Sequence, residues 1–161
     1  MNRADQEAAV GIMRDHRFCM LTTFATEGEL HSHPMTPQQV EDSGDAWFFL
    51  DATSETARNL AKDPRINLAF GDDSSWLSVA GTGTVRDDRS KIDELWNSMV
   101  EAWFPEGKDS PDLRLLRIEA SSAQFWDTPG GKVASALSFV RTKVTGKRPA
   151  GESDSVELGG A

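Results

Sequence analysis

The stretch Ala46–Arg58 (AWFFLDATSETAR) carries the densest set of residues able to do chemistry. Thr53, Ser54 and Thr56 place hydroxyls where an apolar strand gives way to a helix. A helix start offers unpaired N–H groups and the positive end of a dipole, the ingredients of a phosphate site. Arg58, four residues beyond Ser54 on the same helical face, can reach back as a cation. The same residues also make an ordinary helix cap, with Glu55 complementing the dipole and pairing with Arg58. The sequence leaves both readings open.

His31-Ser32-His33 sets two imidazoles on one side of a strand, a start toward a metal site. No third ligand is spaced with them, since His16 and Cys19 fall into no recognisable pattern, so no metal is assigned. Trp126 ends a strand ahead of Asp127-Thr128-Pro129-Gly130-Gly131. An aromatic so placed packs in a core or an interface, or covers a flat cofactor. Gly81-Thr82-Gly83 lacks the following helix that a dinucleotide site needs. No Ser-His-Asp set, CxxC pair or paired-carboxylate motif stands out.

The elements that must position these residues are short. Periodicity predicts helices over Asp5–Arg14, Ala57–Lys62, Arg89–Trp103 and Val133–Val144, the third being the clearest, with Ile92, Leu95, Trp96, Met99 and Trp103 at three- and four-residue steps. Strands are predicted over Phe18–Thr23, Leu30–Met35, Ala46–Leu50, Arg65–Gly71, Trp76–Asp87, Leu113–Ala120 and Ala123–Trp126. Short antiparallel strands with few helices do not make a βαβ parallel sheet; a small closed or partly closed barrel with peripheral helices fits.

At 161 residues the chain has the size of one domain. Seventeen basic against 26 acidic side chains leave a net charge of −9, which argues against a nucleic-acid partner. Residues 128–151 carry five basic side chains and no acidic one, a segment suited to an anion, an acidic partner surface or plain solvation. A single cysteine, Cys19, cannot form an intrachain disulfide. No membrane span is visible and the first 15 residues are charged rather than signal-like, so a cytoplasmic protein is expected. Residues 150–161, Gly/Ser-rich and acidic, are expected to fray as a flexible tail behind a domain over 1–149.

Met20-Leu21-Thr22-Thr23, His31-Ser32-His33-Pro34-Met35, AWFFLDATSETARNLAKDPRINLAFGD, VAGTGTVRDDRSKIDELW, AWFPEG and QFWDTPGGK follow one another in order. Together they resemble the general stress protein 26 branch of the pyridoxamine-5′-phosphate-oxidase-like, FMN-binding split-barrel superfamily over roughly residues 5–148. The resemblance implies a mainly β (α+β) fold, a six-stranded antiparallel split barrel that forms a homodimer with FMN in grooves between the subunits. It places the backbone of His33, Pro34 and Met35 along the flavin, with Phe49, Leu50 and Asp51 edging its ring. Ser54 and Thr56 fall on the phosphate-binding turn, where either Arg58 or the basic segment after residue 128 of the partner subunit is the candidate compensating cation. Trp126 approaches from the second subunit, and Trp103 and Phe104 lie in the loop covering the groove.

Two positions depart from the family's pattern. His33 stands where the family has Arg, and Thr56 where it has a phosphate-contacting Lys, so weakened FMN binding is expected. The stretch after Trp126 lacks the Arg-x-His pair of the true oxidases, which argues against vitamin B6 oxidation. The resemblance implies a flavin-dependent oxidoreductase of unknown substrate. The alternatives are a non-catalytic stress-related binding module on the same fold, or a barrel holding another flat cofactor, a deazaflavin or haem.

Overall fold

The computed structural model describes residues 3–127 and 154–158. The chain begins with helix α1 (Arg3–Asp15), followed by strands β1 (Cys19–Phe24), β2 (Leu30–Met35), β3 (Gln39–Val40) and β4 (Ala46–Asp51). Helix α2 (Glu55–Lys62) leads into β5 (Arg65–Gly71) and β6 (Ser75–Arg86). Two short helices, α3 (Arg89–Leu95) and α4 (Ser98–Trp103), precede β7 (Leu113–Asp127) and β8 (Asp154–Glu157).

All strand pairings are antiparallel, in the order β2-β1-β5-β6-β7-β4-β3, with β8 also on β7. Six of these strands have six or more residues, as a six-stranded split barrel requires; β3 and β8 are short additions. The hydrogen-bonded path does not return from β4 to β2, and that seam is the split. Side chains alternate across the sheet, so one face of each strand fills the barrel. Leu21, Phe48, Leu50, Leu68, Leu77, Leu116 and Ile118 meet there, joined by Met13 of α1 and Leu60 of α2. Strand β4 is apolar on both faces. Its Trp47 and Phe49 turn outward into a second cluster with Leu115 of β7, Ile92 of α3 and Val100 of α4.

Several elements differ from the sequence-based expectation, each for a local reason. The helix foreseen over Arg89–Trp103 is broken, because Trp96 is extended (φ −62, ψ 134) and the Asn97 side chain accepts from the N–H groups of Met99 and Val100, starting α4 afresh. The two strands foreseen over Leu113–Ala120 and Ala123–Trp126 are one. Along β6 the register passes from Ala80↔Ser122 to Gly81↔Ala120, so Ser121 is an extra residue in a bulge rather than a turn. The tail foreseen as frayed from residue 150 contains β8. Leu158 donates its N–H to the Ser121 carbonyl (2.8 Å) and is buried in the barrel core, which is enough apolar anchorage to hold the segment. The helix foreseen over 133–144 and the basic stretch 128–151 lie outside the described residues.

Candidate functional site

The turn between β4 and α2 is built from its own polar side chains. Asp51 Oδ1 accepts from the Thr53 N–H (2.7 Å) and the Thr53 hydroxyl (2.6 Å), and these bonds hold its carboxyl below the usual range. Ser54 caps α2: its Oγ accepts from the Ala57 N–H (3.2 Å) and donates to the Asp51 carbonyl (2.6 Å). Arg58 folds back to donate to the Thr53 carbonyl (2.5 Å).

Strand β2 meets the same turn through its two histidines. Thr56, buried, shares a hydrogen bond with His33 Nε2 (3.0 Å). Burial lowers the His33 pKa, and the nearby Glu55 carboxylate opposes that shift. Glu55 pairs with His31 rather than with Arg58: Oε1 lies 2.5 Å from His31 Nδ1, while His31 Nε2 lies 3.3 Å from Glu29 Oε2. The two imidazoles are therefore held by separate partners. Among the described residues no cluster of three His, Cys, Asp or Glu side chains is placed to hold a metal ion.

The His31–Glu55 pair has a pH signature. Hydrogen bonds to Glu55 and then Glu29 raise the His31 pKa above its ordinary 6.5, and the bond to His31 lowers the Glu55 pKa below its ordinary 4.5. The His31 contribution is complete below 6.5 and fades as pH rises through the folded value. The Glu55 contribution is complete above 4.5 and fades as pH falls through its folded value. A thermal-melt series from pH 4 to 8 should flatten in His31→Gln relative to the parent, the parent gaining between these limits; superimposable profiles would exclude the linkage.

Beside the turn, at the barrel's split, lies an apolar groove of about 220 Å³. Pro34, Met35, Thr36 and Gln38 form the wall at the end of β2, and Phe49 of β4 lies opposite. Met99, Val100, Trp103 and Phe104 of the α4 region cover it, and Phe18 closes one end. Phe49 is fixed by an edge contact with Trp96 (5.8 Å between centroids) and a tilted one with Phe104 (6.3 Å). Phe49 and Asp51 share a face of β4 two residues apart, about 7 Å along the strand. His33, which meets Thr56, and Met35 of the groove lining share a face of β2 two residues apart, so the α2 turn and the groove border the same strand.

Of the residues singled out in the sequence, Pro34, Met35, Phe49 and Trp103 meet in the groove, while His33, Asp51, Ser54, Thr56 and Arg58 gather at the turn. Strand alternation turns the Leu50 side chain into the barrel core, away from those of Phe49 and Asp51 on the same strand. Trp126 does not line the groove of its own chain. It stands on the outer sheet face in register with Trp76, both near two-fifths exposed. Gly71, opposite Trp76, makes room for that indole, since a Cβ there would fall 2.6 Å from Trp76 Cδ1. Phe18, Gln38 and Met99 were not foreseen; a large apolar side chain at the very start of β1, half-exposed, was the available signal for Phe18.

An antiparallel split barrel with a groove at its seam and a polar helix-start beside it defines a class, and comparison places the chain within it. The family model described as pyridoxamine 5′-phosphate oxidase like matches residues 5–150, and the chain belongs to that family, in its general stress protein 26 branch. A general stress FMN/FAD binding protein from the phytopathogen Xanthomonas citri is 34% identical, with a TM-score of 0.65 over 76% of this chain and 87% of that one. A structure from Jannaschia sp. CCS1, described as a general stress protein 26, is 27% identical, with a TM-score of 0.69 over 94% and 96%. Among curated proteins, protein bli-3 of Neurospora crassa is 26% identical over 147 residues, covering 84% of this chain and 70% of that protein.

Proposed function

We propose that two copies of this chain bind FMN in grooves between them and that the protein is a flavin-dependent oxidoreductase of the cytoplasm whose substrate is not vitamin B6. The observation that carries this reading is that an apolar groove and a hydroxyl-rich helix start both border strands β2 and β4. The groove suits a planar ring, with Pro34, Met35 and Phe49 against it and Trp103 over it. The turn suits an anionic tail. Among the described residues no protein acceptor meets the N–H groups of Glu55 and Thr56, and the Ser54 hydroxyl and Arg58 guanidinium stand beside them. The residues present fit the group, with a weak charge complement.

A bound flavin would supply hydride and electron transfer. The chain's own residues would orient and enclose it: the β2 backbone at His33–Met35 and the Phe49 ring fix a plane, and α4 excludes water from it. Among the described residues no titratable side chain lines the groove, and on those residues protons exchanged in turnover would come from solvent or substrate. The outer face supports the dimer. On β1, β6 and β7 it exposes Met20, Trp76 and Trp126, an unusual apolar display on a chain of net charge −9. In this reading the Trp126 indole approaches the partner's flavin.

One observation favours the non-catalytic alternative. Glu55 sits in the first turn of α2, and its negative charge opposes a phosphate that carries about −1.5 to −2 at neutral pH. Visible absorption of the purified protein, followed by titration with FMN, decides between them. Yellow protein, or saturable quenching of flavin fluorescence with a dimer mass in sedimentation, is the expected result. Colourless protein that leaves added FMN unquenched would sink the flavin reading.

A further inference from the structure

The groove's lining is apolar apart from Thr36 and Gln38, and Gln38 is engaged at both ends of its amide: Nε2 donates to the Thr36 carbonyl (3.2 Å) and Oε1 accepts from Asn97 (2.9 Å). One charged group nevertheless stands at its mouth. The Arg17 guanidinium lies over the Phe18 ring, 5.2 Å from the centroid, and Nη2 lies 3.3 Å from Met99 Sδ; Phe18 and Met99 both belong to the groove's lining. Arg17 thus lies against two of the groove's lining side chains, next to the strand wall, since Cys19 pairs with Met35. Among the described residues five of nine guanidinium groups are neutralised, since Arg3, Arg14, Arg65, Arg89 and Arg117 each have a carboxylate within 3.0 Å, while Arg58 and Arg86 make no ion pair. Among the described residues Arg17 has none. A cation held against an aromatic face and a thioether, in a chain with nine surplus negative charges, keeps its hydrogen-bonding fork for an acceptor brought from outside.

We infer that this end of the groove binds a planar apolar molecule bearing a carboxylate, with the ring between Phe18, Met99 and Trp103 and the carboxylate on Arg17. The charge balance argues for that ligand over others. At this end a ligand with several anionic groups would find only the one guanidinium to pair with, whereas a neutral ring would leave that guanidinium unused. A single carboxylate matches the fork of a single arginine. Trp103, about 70% exposed in the free chain, is the side chain such a ring would cover. The inference rests on the flavin reading only in taking the ligand to be the substrate that lies beside the ring; the binding itself does not require flavin.

Calorimetric titration with 2-naphthoate and its uncharged counterpart 2-naphthamide, on protein with and without FMN, tests it. The carboxylate should bind about fivefold more tightly than the amide, as an exposed ion pair provides. Arg17→Gln should abolish the preference while leaving amide binding in place, and Arg17→Lys should retain part of it. Equal affinities in the parent protein, a preference that survives in Arg17→Gln, or no saturable binding of either probe to folded protein would each overturn the assignment. The two readings fail separately. Naphthoate binding that depends on Arg17 without any flavin binding removes the flavin alone, and flavin binding with indifference between the probes removes only this ligand.

Discussion

Gly81→Ala should be among the most damaging single-methyl changes in this chain, costing about 3 kcal/mol or more of folding stability. Gly81 pairs with Ala120 beside the bulge at Ser121. A Cβ built on Gly81 would fall 2.3 Å from the Glu119 carbonyl oxygen and 3.1 Å from its carbonyl carbon. Those atoms are backbone in the middle of the longest ladder of the sheet, so no side-chain rotation relieves the clash. Gly83 makes a control two residues away on the same strand. Its added methyl would meet only the side-chain ends of Leu116, Leu60 and Ile118, at 3.1–3.2 Å, and these can give slightly. Urea unfolding of both variants should show Gly81→Ala far less stable than Gly83→Ala. Equal midpoints would mean that the strand approach at the bulge is looser than described.

Thr56→Lys should strengthen FMN binding about tenfold or more. A charge-assisted hydrogen bond contributes about 1.5–3 kcal/mol, roughly twice a neutral one, and a lysine stem can carry its ammonium out of the first turn of α2 toward a phosphate. The change removes the Thr56–His33 hydrogen bond, at a cost of about 1 kcal/mol in folding stability. Riboflavin, which lacks the phosphate, is the discriminating ligand: its affinity should stay where it was while that of FMN rises. If neither ligand responds, the α2 turn is not where the anionic tail is held.

The positions of most elements were legible in the sequence, because alternation and short apolar runs suffice to locate strands of six or seven residues. What escaped was decided by partners. AWFFL reads as a buried strand, but five apolar residues in a row do not say which of them face a barrel and which face helices. Leu50 and Phe49 were separated only once α3 and α4 lay on the outer side. The break at Trp96–Asn97 is invisible to periodicity, since Ile92, Leu95, Trp96 and Met99 keep helical spacing through it; Asn97, a good cap residue, was the overlooked cue. The gap left at Ser121-Ser122 between two predicted strands is a bulge in one strand, a choice set by β6 rather than by either serine. In the site, Ser54 and Thr56 were legible as hydroxyls at a helix start and His33 as one of two strand histidines, and family likeness joined them, but their hydrogen-bonded connection depends on α2 docking against β2. The Glu55–His31 pair was missed because local spacing favours Arg58 as the carboxylate's partner, whereas the actual one is 24 residues upstream.

Strand β7 also fixes the order in which the molecule can be assembled. Strands β2, β1, β5 and β6 can form one hairpin-linked sheet, and β3 with β4 a second, without it. Among the described strands only β7, residues 113–127, pairs with both, with β6 along one edge and with β4 along the other. Because the groove takes Pro34 and Met35 from the first group and Phe49 from the second, a ribosome-bound nascent chain has no binding crevice until this late segment has emerged. Any ligand that loads during synthesis must therefore wait for the final stitch, and a chain truncated before residue 113 would be two unjoined half-sheets with bare edges rather than a smaller working protein.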